Sequence, residues 1–425
     1  MKKRFWIFLI LFLFPLSLYS SILQITVHAP IHPVTSEYIR DAIQKAEQQN
    51  ASLLILKINT PGGLDTSMRA VIEQILDSQT PVAAYVSPSG SRCASAGFFI
   101  AMACDIFVMA PGTNTGAAHP VGVSLTGQSM DETMEKKVTH DAASYIKTLA
   151  QKRERNTELA EKAVRQSLSY TEEEALEGNL INLVASDVQE IIDHFDGQEI
   201  QRFGGEKQLL KLKGETITSY PMSFRQKFLL TISNPNLAYI LFMLGLLGLY
   251  FEFANPGAIF PGVIGGISLL LAIFSFQILP INYVGLLLIL LSVGLFVLEI
   301  KIQSYGILSI GGIIALVLGS IMLIDAPIPQ LEPSLKFIIP IALGLSLIFI
   351  FLIVLAIRSQ TRKISTGKEG LVGKIGTAQT DLNPEGKVFV HGEIWKAQAS
   401  EPIPKGNKVK VLEVMEGLKI KVTKP

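Results

Sequence analysis

Hydrophobic and polar positions follow four different patterns along the 425-residue chain, and the changes between them predict its domains. Residues 1–21 join a short basic start to an apolar run, the pattern of a secretory signal peptide, which we expect to be cleaved. Residues 22–233 have mixed charges and predict a globular domain. Residues 234–358 are nearly free of charge and predict a membrane region, whereas residues 366–425 are polar and predict a small C-terminal domain.

Apolar runs within the membrane region predict about five membrane-spanning helices, because about 20 apolar residues are needed to cross a bilayer. The predicted spans are Leu237–Phe253, Ile259–Ile278, Tyr283–Ile300, Gly306–Ile324 and Phe337–Ile357. Basic residues follow the last span, at Arg358, Arg362, Lys363 and Lys368, and such residues favour the cytoplasmic side. Five spans then place the N-terminal domain outside the cytoplasm and the C-terminal domain inside. The signal peptide predicts the same orientation independently.

Short β-like runs fill the C-terminal domain. They are Leu371–Thr377, Gly386–His391, Glu393–Ala399, Asn407–Glu413 and Leu418–Thr423. Glycine and proline residues separate these runs, which is typical of a small all-β barrel. Five strands suit an OB-fold.

Strand-like and helix-like runs alternate in the N-terminal domain. Leu53–Ile58, Val82–Val86 and Ile106–Ala110 are short apolar runs that predict buried strands. Between the first two, Thr66–Leu76 carries apolar residues at helical spacing. This alternation predicts an α/β domain with parallel strands.

Composition excludes several classes of protein. Hydrophobic residues make up 49% of the chain, charged residues only 17%, and the net charge is +1. Those values exclude a disordered chain and a basic nucleic-acid-binding protein. The two cysteines, Cys93 and Cys104, are too few for a disulfide framework or a structural zinc site. The sequence contains no metal-binding or nucleotide-binding motif, so we expect no cofactor.

Two turns that follow predicted strands are candidates for chemistry. The first contains Gly62 and Gly63, where the missing side chains leave backbone N–H groups open to a ligand. Two such donors make an oxyanion hole, although a tight turn is the more common role of adjacent glycines. The second turn contains Ser95, which small residues flank on both sides and a helix-like run follows. A nucleophile or a helix cap would both suit this serine, and the preceding Cys93 is a weaker candidate nucleophile.

A serine nucleophile needs a base. Lys147 lies four positions after Ala143 and three before Ala150, on a stripe of small residues of a predicted helix. Packing against alanines would desolvate the amine and lower its pKa toward the value that a neutral base needs. A solvated helix lysine is the alternative reading of the same spacing.

Other side chains compete for roles in proton transfer. His140 lies two turns before Lys147 on the same predicted helix and is the competing base. Asp105 and Asp141 would either orient a base or cap helices, and capping is the role that we expect of them. No Gly-x-Ser-x-Gly motif is present, so the sequence does not indicate a conventional hydrolase triad.

Several segments together resemble the NfeD family of membrane-bound proteases. They are Ile58–Gly63, Ala94–Gly97, Met109–Ala117, Tyr145–Ala150, Ser169–Ile181 and Gly392–Ala397. The resemblance extends over the chain after the signal peptide, in the family's domain order. It implies a ClpP-class serine protease domain on the crotonase-like fold, followed by a membrane region and an OB-fold. Residues between Ala117 and Lys136 match no family motif, so the resemblance says nothing about this loop.

Carried over by residue, the resemblance implies a Ser–Lys dyad. Ser95 would be the nucleophile and Lys147 the general base, with the backbone N–H of Gly63, helped by Gly62 or Ala96, as the oxyanion hole. No metal is implied.

The resemblance also implies partners. Archaeal members of the family are associated with cleavage of the hydrophobic C-terminal region of stomatin-like membrane proteins. A stomatin-like partner, membrane lipid and, by analogy with ClpP-like relatives, a homo-oligomer are therefore expected, and nucleic acid is not. The alternative function is a catalytically inactive scaffold that assembles stomatin-like proteins. An acyl-CoA enzyme on the same fold is disfavoured by the location outside the cytoplasm.

Overall fold

The computed structural model describes residues 21–121, 131–254, 259–277, 279, 281–302, 304, 306–324, 332–360, 368–415 and 417–425. The predicted signal peptide lies outside the described residues, apart from Ser21. Contacts divide the chain into two compact units. One contains the N-terminal domain and most of the apolar helices, and the other contains the C-terminal barrel.

Six parallel strands form the main sheet of the N-terminal domain. The strands of this domain are β1 (Ser21–Val27), β2 (Leu53–Ile58), β3 (Val82–Val86), β4 (Arg92–Ala94), β5 (Ile106–Met109), β6 (Asn114–Gly116), β7 (Ser169–Thr171), β8 (Leu183–Val184), β9 (Glu199–Gln201), β10 (Lys207–Leu209) and β11 (Thr216–Ser219). The main sheet has the order β11-β1-β2-β3-β5-β8, and every neighbouring pair is parallel. This confirms the predicted α/β domain with parallel strands.

Helices cover the sheet and connect its strands. They are α1 (Pro33–Gln48), α2 (Asp65–Asp77), α3 (Ala96–Ala103), α4 (Glu132–Lys152), α5 (Thr157–Arg165), α6 (Glu172–Glu177) and α7 (Val188–Phe195). All eight residues of α3 are buried, so this helix has no polar face and packs inside the domain. A smaller sheet of β4, β6 and β7 lies at the N-terminal end of α3, because β4 leads into it.

Two arginines hold the C-terminal end of α3. The Arg155 guanidinium donates to the carbonyl oxygens of Met102 and Cys104 at 2.8 and 3.1 Å. Arg153 Nε donates to the carbonyl of Ala103 at 2.8 Å. Cations at this end of a helix satisfy its last carbonyls and interact favourably with its dipole. The buried helix is therefore fixed at one end, and its other end begins next to Ser95.

Asp105 belongs to the same network. Its Oδ1 lies 2.6 Å from Arg153 Nη1 and 3.2 Å from Arg202 Nε, and its Oδ2 accepts from the Val82 N–H at 2.8 Å. The side chains of Asp105 and Arg153 are 0% and 2% exposed. The expectation that Asp105 caps a helix is wrong, because buried cations and a strand N–H already occupy its carboxylate.

We expect Arg153→Met to lower the free energy of unfolding by about 3–5 kcal/mol, because it leaves the buried Asp105 carboxylate short of a cation. Thermal unfolding of the full chain in detergent would show this as a lower midpoint. Lys162→Met is the control, because the ion pair of Lys162 with Glu158 is exposed and surface pairs of this kind add little stability. Equal shifts in the two variants would contradict the structural role of Arg153.

Apolar helices form the membrane region, after the linking helix α8 (Phe224–Ile232). They are α9 (Pro235–Ala254), α10 (Ile259–Phe276), α11 (Tyr283–Lys301), α12 (Ile307–Met322) and α13 (Leu335–Gln360). Each coincides with a predicted span. Within the described residues, two are long and apolar enough to cross a membrane, Pro235–Phe253 and Ile259–Phe276, and the other apolar segments are shorter. Close packing of α9 on α10 depends on glycine, since a Cβ at Gly248 would lie 2.7 Å from the Cα of Gly265.

The C-terminal domain is a closed five-stranded barrel. It contains α14 (Lys368–Leu371), β12 (Ile375–Ala378), β13 (Glu385–Val390), β14 (Glu393–Ala399), β15 (Lys408–Met415) and β16 (Lys419–Thr423). The strand order around the barrel is β12-β13-β14-β16-β15. The predicted five-stranded all-β domain is confirmed. Its first strand begins at Ile375 rather than Leu371, because a helical turn occupies the residues before it.

Candidate functional site

The Gly62–Gly63 turn follows the end of β2 and is fixed by hydrogen bonds on both sides. The buried Thr60 hydroxyl donates to the Gly62 carbonyl at 3.1 Å and accepts from the Gly62 N–H at 3.2 Å. The Ile31 N–H also donates to the Gly62 carbonyl, at 2.8 Å. Within the described part of the chain, the Gly63 N–H donates to no acceptor. Of the two predicted donors, Gly63 is therefore available to a ligand and Gly62 is not.

Ser95 occupies a strained turn between β4 and α3. Its φ of 52° and ψ of −119° are rare for a residue with a side chain, and such strain is concentrated at functional sites. Its N–H donates to the Gly116 carbonyl at 3.0 Å, so the backbone conformation is held by the fold. The side chain does not cap α3. The capping role that competed with nucleophilic catalysis in the sequence is therefore excluded.

The glycine turn and the serine turn lie against each other. A Cβ at Gly62 would lie 2.7 Å from Ser95 Cβ and 3.0 Å from Ser95 Oγ. Gly97 permits this arrangement, since a Cβ there would lie 2.4 Å from Thr60 Cγ2. Ala96 begins α3, and the first N–H groups of a helix have no partner within the helix. The structure thus brings Ser95, Gly63 and Ala96 together.

These three residues line a cavity of about 910 Å³. One wall of the cavity belongs to α4. That helix contributes Lys137, Val138, Asp141 and Ala142. Asp141 and Ala142 follow Lys137 and Val138 by four positions each, so the four side chains share one face of the helix. Most other lining residues of the N-terminal domain are apolar, among them Met68, Phe99 and Ala118. The cavity combines a serine hydroxyl, two backbone N–H groups and a lysine with a largely apolar lining.

The predicted base Lys147 is on α4 but does not line this cavity. Its side chain is 56% exposed, and its Nζ lies 3.5 Å from Glu161 Oε2 on α5. Of the two interpretations of its spacing, the structure agrees with the solvated lysine, although Ala143 and Ala150 are both buried. A spacing of three or four residues leaves the lysine at the edge of that stripe, from which its long side chain reaches solvent. Lys137 is ten residues earlier, about 15 Å along the helix axis.

Lys137 is the functional candidate that the sequence analysis missed. It follows Lys136 directly, and the pair looks like a solvated charged stretch. The two side chains point differently, because Lys136 Nζ pairs with Glu132 Oε1 at 2.6 Å and Lys137 faces the cavity. Among described residues, Lys137 Nζ forms no ion pair. The sequence does contain a clue to this side of α4. Val138 and Ala142 are apolar and one helical turn apart, and both line the cavity.

His140, the competing base, is also outside the cavity. Its Nδ1 lies 3.3 Å from Arg165 Nη2 on the exposed side of α4. Asp141 does line the cavity, where its Oδ2 lies 2.5 Å from Arg69 Nη2. Its predicted capping role is wrong, because Asp141 is in the middle of α4 and pairs with an arginine of α2 instead.

Cys93 is excluded as a nucleophile. Its side chain is 0% exposed, and burial raises the pKa of its thiol. A thiol becomes reactive as the thiolate, which burial in apolar surroundings disfavours. Cys93 therefore packs in the core beneath the Ser95 turn.

His32 is a buried residue of the cavity wall that the sequence did not single out. It is 5% exposed, and its Nδ1 accepts from the Val34 N–H at 3.2 Å as the N-cap of α1. Burial lowers the pKa of His32 to about 4. The imidazole is therefore neutral at physiological pH and forms part of the helix cap rather than a base.

We expect the domain to lose stability as the pH falls from about 6.5 toward 4. The unfolded chain binds a proton at His32 near pH 6.5, whereas the folded chain resists it down to about pH 4. The difference amounts to about 3 kcal/mol at pH 4 and vanishes above pH 7. Because His32→Asn keeps a good N-cap without a titrating group, the thermal midpoint of the wild type should fall more steeply than that of the variant as the pH falls. Parallel pH dependences in both proteins would contradict this assignment.

Comparisons with known proteins give consistent matches along the chain. Family models match residues 21–207 (NfeD1b, N-terminal domain), 236–355 (NfeD integral membrane domain) and 368–424 (NfeD-like C-terminal, partner-binding domain). The membrane-bound protease PH1510 of Pyrococcus horikoshii is 35% identical over 89% of this chain and 88% of that protein. The membrane protein NfeD1b of Bacillus subtilis is 30% identical over 91% and 89%.

A solved structure is similar to the N-terminal part. It is 1510-N, a membrane protease specific for a stomatin homologue from Pyrococcus horikoshii, and it is 30% identical. The match covers 50% of this chain and 98% of that chain, with a TM-score of 0.44.

Proposed function

We propose that this chain, which belongs to the NfeD family, is a membrane-bound serine endopeptidase with a ClpP-class N-terminal domain and a Ser–Lys dyad. One observation carries the proposal. Ser95 is held in a strained turn at the start of a buried helix, inside a cavity that also contains a free backbone N–H and a lysine. A scaffold has no need of that strain, which costs of the order of 1–3 kcal/mol.

The chemistry follows from the positions of these groups. Ser95 Oγ attacks the carbonyl carbon of the scissile peptide bond, and its proton passes to Nζ of Lys137. The N–H groups of Gly63 and Ala96 stabilise the resulting oxyanion. The lysine then donates the proton to the leaving nitrogen, and the C–N bond breaks to leave an acyl ester on Ser95. Water, deprotonated by the same amine, hydrolyses the ester and restores the serine hydroxyl.

We assign the base to Lys137 rather than to Lys147. A general base must come within hydrogen-bond reach of the proton that it removes. Lys137 lines the same cavity as Ser95, whereas Lys147 is on another face of α4 and pairs with Glu161. Both lysines are included in the tests described in the Discussion.

The proposed substrate is a hydrophobic segment of a stomatin-like membrane protein. The similar Pyrococcus protease is specific for a stomatin homologue, and the C-terminal barrel matches a partner-binding domain. The apolar lining of the cavity suits side chains of that kind. We propose that the barrel binds the partner while the N-terminal domain cleaves it.

The proposed topology follows the sequence analysis. All five apolar helices cross the membrane, with the protease domain (residues 22–233) outside the cytoplasm and the barrel (residues 366–425) inside. The strand order of the barrel, with β14 parallel to β16, supports an OB-fold.

Labelling of Ser95 tests the proposed function. The full chain in detergent is treated with a fluorophosphonate probe, which forms a covalent bond with an activated serine hydroxyl. We expect labelling of the wild type and none of Ser95→Ala, with cleavage of an apolar peptide lowered by about 10³-fold or more. The control is Ser89→Ala, an exposed serine of the turn before β4, which should behave as wild type. No labelling of the wild type, even with a stomatin-like protein present, would favour the inactive scaffold.

A further inference from the structure

The cavity that contains Ser95 has a second wall, which comes from the membrane region. This membrane-side wall consists of Leu230, Ser233, Asn234, Pro235, Gln277 and Leu279. These residues belong to the end of α8, the start of α9 and the segment just after α10. The candidate active site is thus shared between the N-terminal domain and the membrane region of one compact unit.

The position of this wall along the helices indicates where the cavity lies relative to the bilayer. α9 starts at Pro235 and α10 ends at Phe276, and these two are long and apolar enough to cross a membrane. A cavity lined at both of these helix ends therefore lies at a bilayer surface. Helix α8 gives independent support, since Phe224 and Phe228 are 86% and 45% exposed there. Exposed aromatic residues beside a span are typical of the interfacial layer.

Hydrogen bonds fix the membrane-side wall to the N-terminal domain. Gln226 Nε2 on α8 donates to Asp41 Oδ2 on α1 at 2.9 Å. Ser275 Oγ on α10 donates to the carbonyl of Ile232, at the end of α8, at 2.7 Å. The helix ends and the Ser95 turn are therefore held within one framework, through α1 and α8.

The two walls differ in charge. The membrane-side residues named above are apolar or neutral, and the charged residues of the cavity, such as Lys137, Asp141 and Arg69, belong to the N-terminal domain. Leu230, Pro235 and Leu279 offer apolar contact. Gln277 is an exposed amide that both donates and accepts hydrogen bonds, as an extended peptide backbone requires. Such a wall suits an uncharged apolar segment.

We propose that the membrane-side wall is a substrate subsite for the stretch of a membrane-anchored protein that emerges directly from the bilayer. The serine then cleaves within the first residues after a span, and the side chain of residue 277 sets the width of the subsite. This inference rests on the proposed function, because it concerns the substrate of the same serine. It adds that the membrane region selects the cleavage position.

The first test varies the distance between a span and the cleavable segment. The full chain is placed in vesicles of phosphatidylethanolamine and phosphatidylglycerol with a reporter, which consists of one Leu/Ala span followed by ten uncharged apolar residues. We expect a reporter with a 20-residue Gly/Ser linker after the span, and the same segment without a span, to be cleaved at least about tenfold more slowly. Because the linker reporter remains anchored, accumulation on the vesicle alone does not explain a difference between the two anchored reporters.

The second test changes the wall itself. Gln277→Trp should lower cleavage of the directly anchored reporter at least about fivefold, because the indole fills the subsite. Gln277→Ser should stay within about twofold, since it keeps the subsite open. Ile273→Trp, one turn earlier on α10 and outside the cavity, is the matched control. Fluorophosphonate labelling of Ser95 should be equal in all three variants, because the probe is small.

The results of the two tests distinguish failure of the subsite from failure of the proposed peptidase. Equal cleavage of the two anchored reporters, or equal rates for Gln277→Trp and Ile273→Trp, would overturn the subsite while labelling of Ser95 remained. Loss of labelling in Gln277→Trp would overturn it as well, since the variant would then disturb the serine itself. A wild type without labelling would remove the peptidase and, with it, the subsite.

Discussion

Lys137→Ala is expected to lower kcat/KM for peptide cleavage by about 10²–10⁴-fold, the usual contribution of a general base. The reason is positional, since Lys137 lines the cavity that contains Ser95. Lys147→Ala should stay within about twofold of wild type, because that side chain is 56% exposed and pairs with Glu161 outside the cavity. Initial rates on an apolar peptide, measured with the full chain in detergent, check both expectations.

Two further variants test whether Lys137 is the general base. Lys136→Ala is the matched control for Lys137→Ala, because Lys136 is the neighbouring residue and its amine pairs with Glu132 instead. Lys137→His should retain part of the activity, since an imidazole can also accept and donate the proton. Loss of activity in Lys147→Ala, with Lys137→Ala still active, would restore the base that the sequence analysis predicted.

Gly62→Ala is expected to abolish both peptide cleavage and the labelling of Ser95. The added methyl group would lie 2.7 Å from Ser95 Cβ and 3.0 Å from its Oγ, so the nucleophile has to move. The turn that presents the Gly63 N–H would shift with it, and loss of one oxyanion donor alone costs about 10²–10³-fold in rate. Labelling kinetics and peptide cleavage, measured side by side, report the two effects.

Gly90→Ala is the control for backbone strain. Gly62 and Gly90 both have positive φ, of 121° and 83°, which residues with side chains rarely adopt. A Cβ at Gly90 would meet nothing within 4 Å. Gly90→Ala therefore carries the strain without the clash, and it should keep most of the activity. Equal losses in both variants would show that strain, and not contact with Ser95, governs the effect.

The sequence was a reliable guide wherever neighbouring residues decide the structure. Leu53–Ile58 formed a strand in the central sheet because an unbroken apolar run suits a strand that is buried on both faces. Runs of apolar residues likewise predicted each helix of the membrane region. Gly62, Gly63 and Ser95 were found because small residues directly after strands allow tight turns and a close approach of substrate.

The same local reasoning could not show which lysine of α4 lines the cavity that contains Ser95. Helical spacing placed Lys147 with Ala143 and Ala150, but it did not show which face of α4 would meet Ser95 or how far along the helix. That depends on how α4 packs over α3, a contact between residues that are distant in sequence. A long lysine side chain at the edge of a buried stripe reaches solvent as readily as it stays inside.

Taken by itself, the sequence determined the order of the domains, the α/β, membrane and barrel classes, and the serine with its glycine turn. All of these follow from the period of hydrophobic positions and from the backbone freedom of small residues. Tertiary structure alone decided which lysine lines the cavity of Ser95, which glycine N–H stays free and that helix ends of the membrane region form a wall of the same cavity. Those features arise from contacts between segments far apart in the chain, because packing and hydrogen bonding set the final positions of elements that local patterns can only identify.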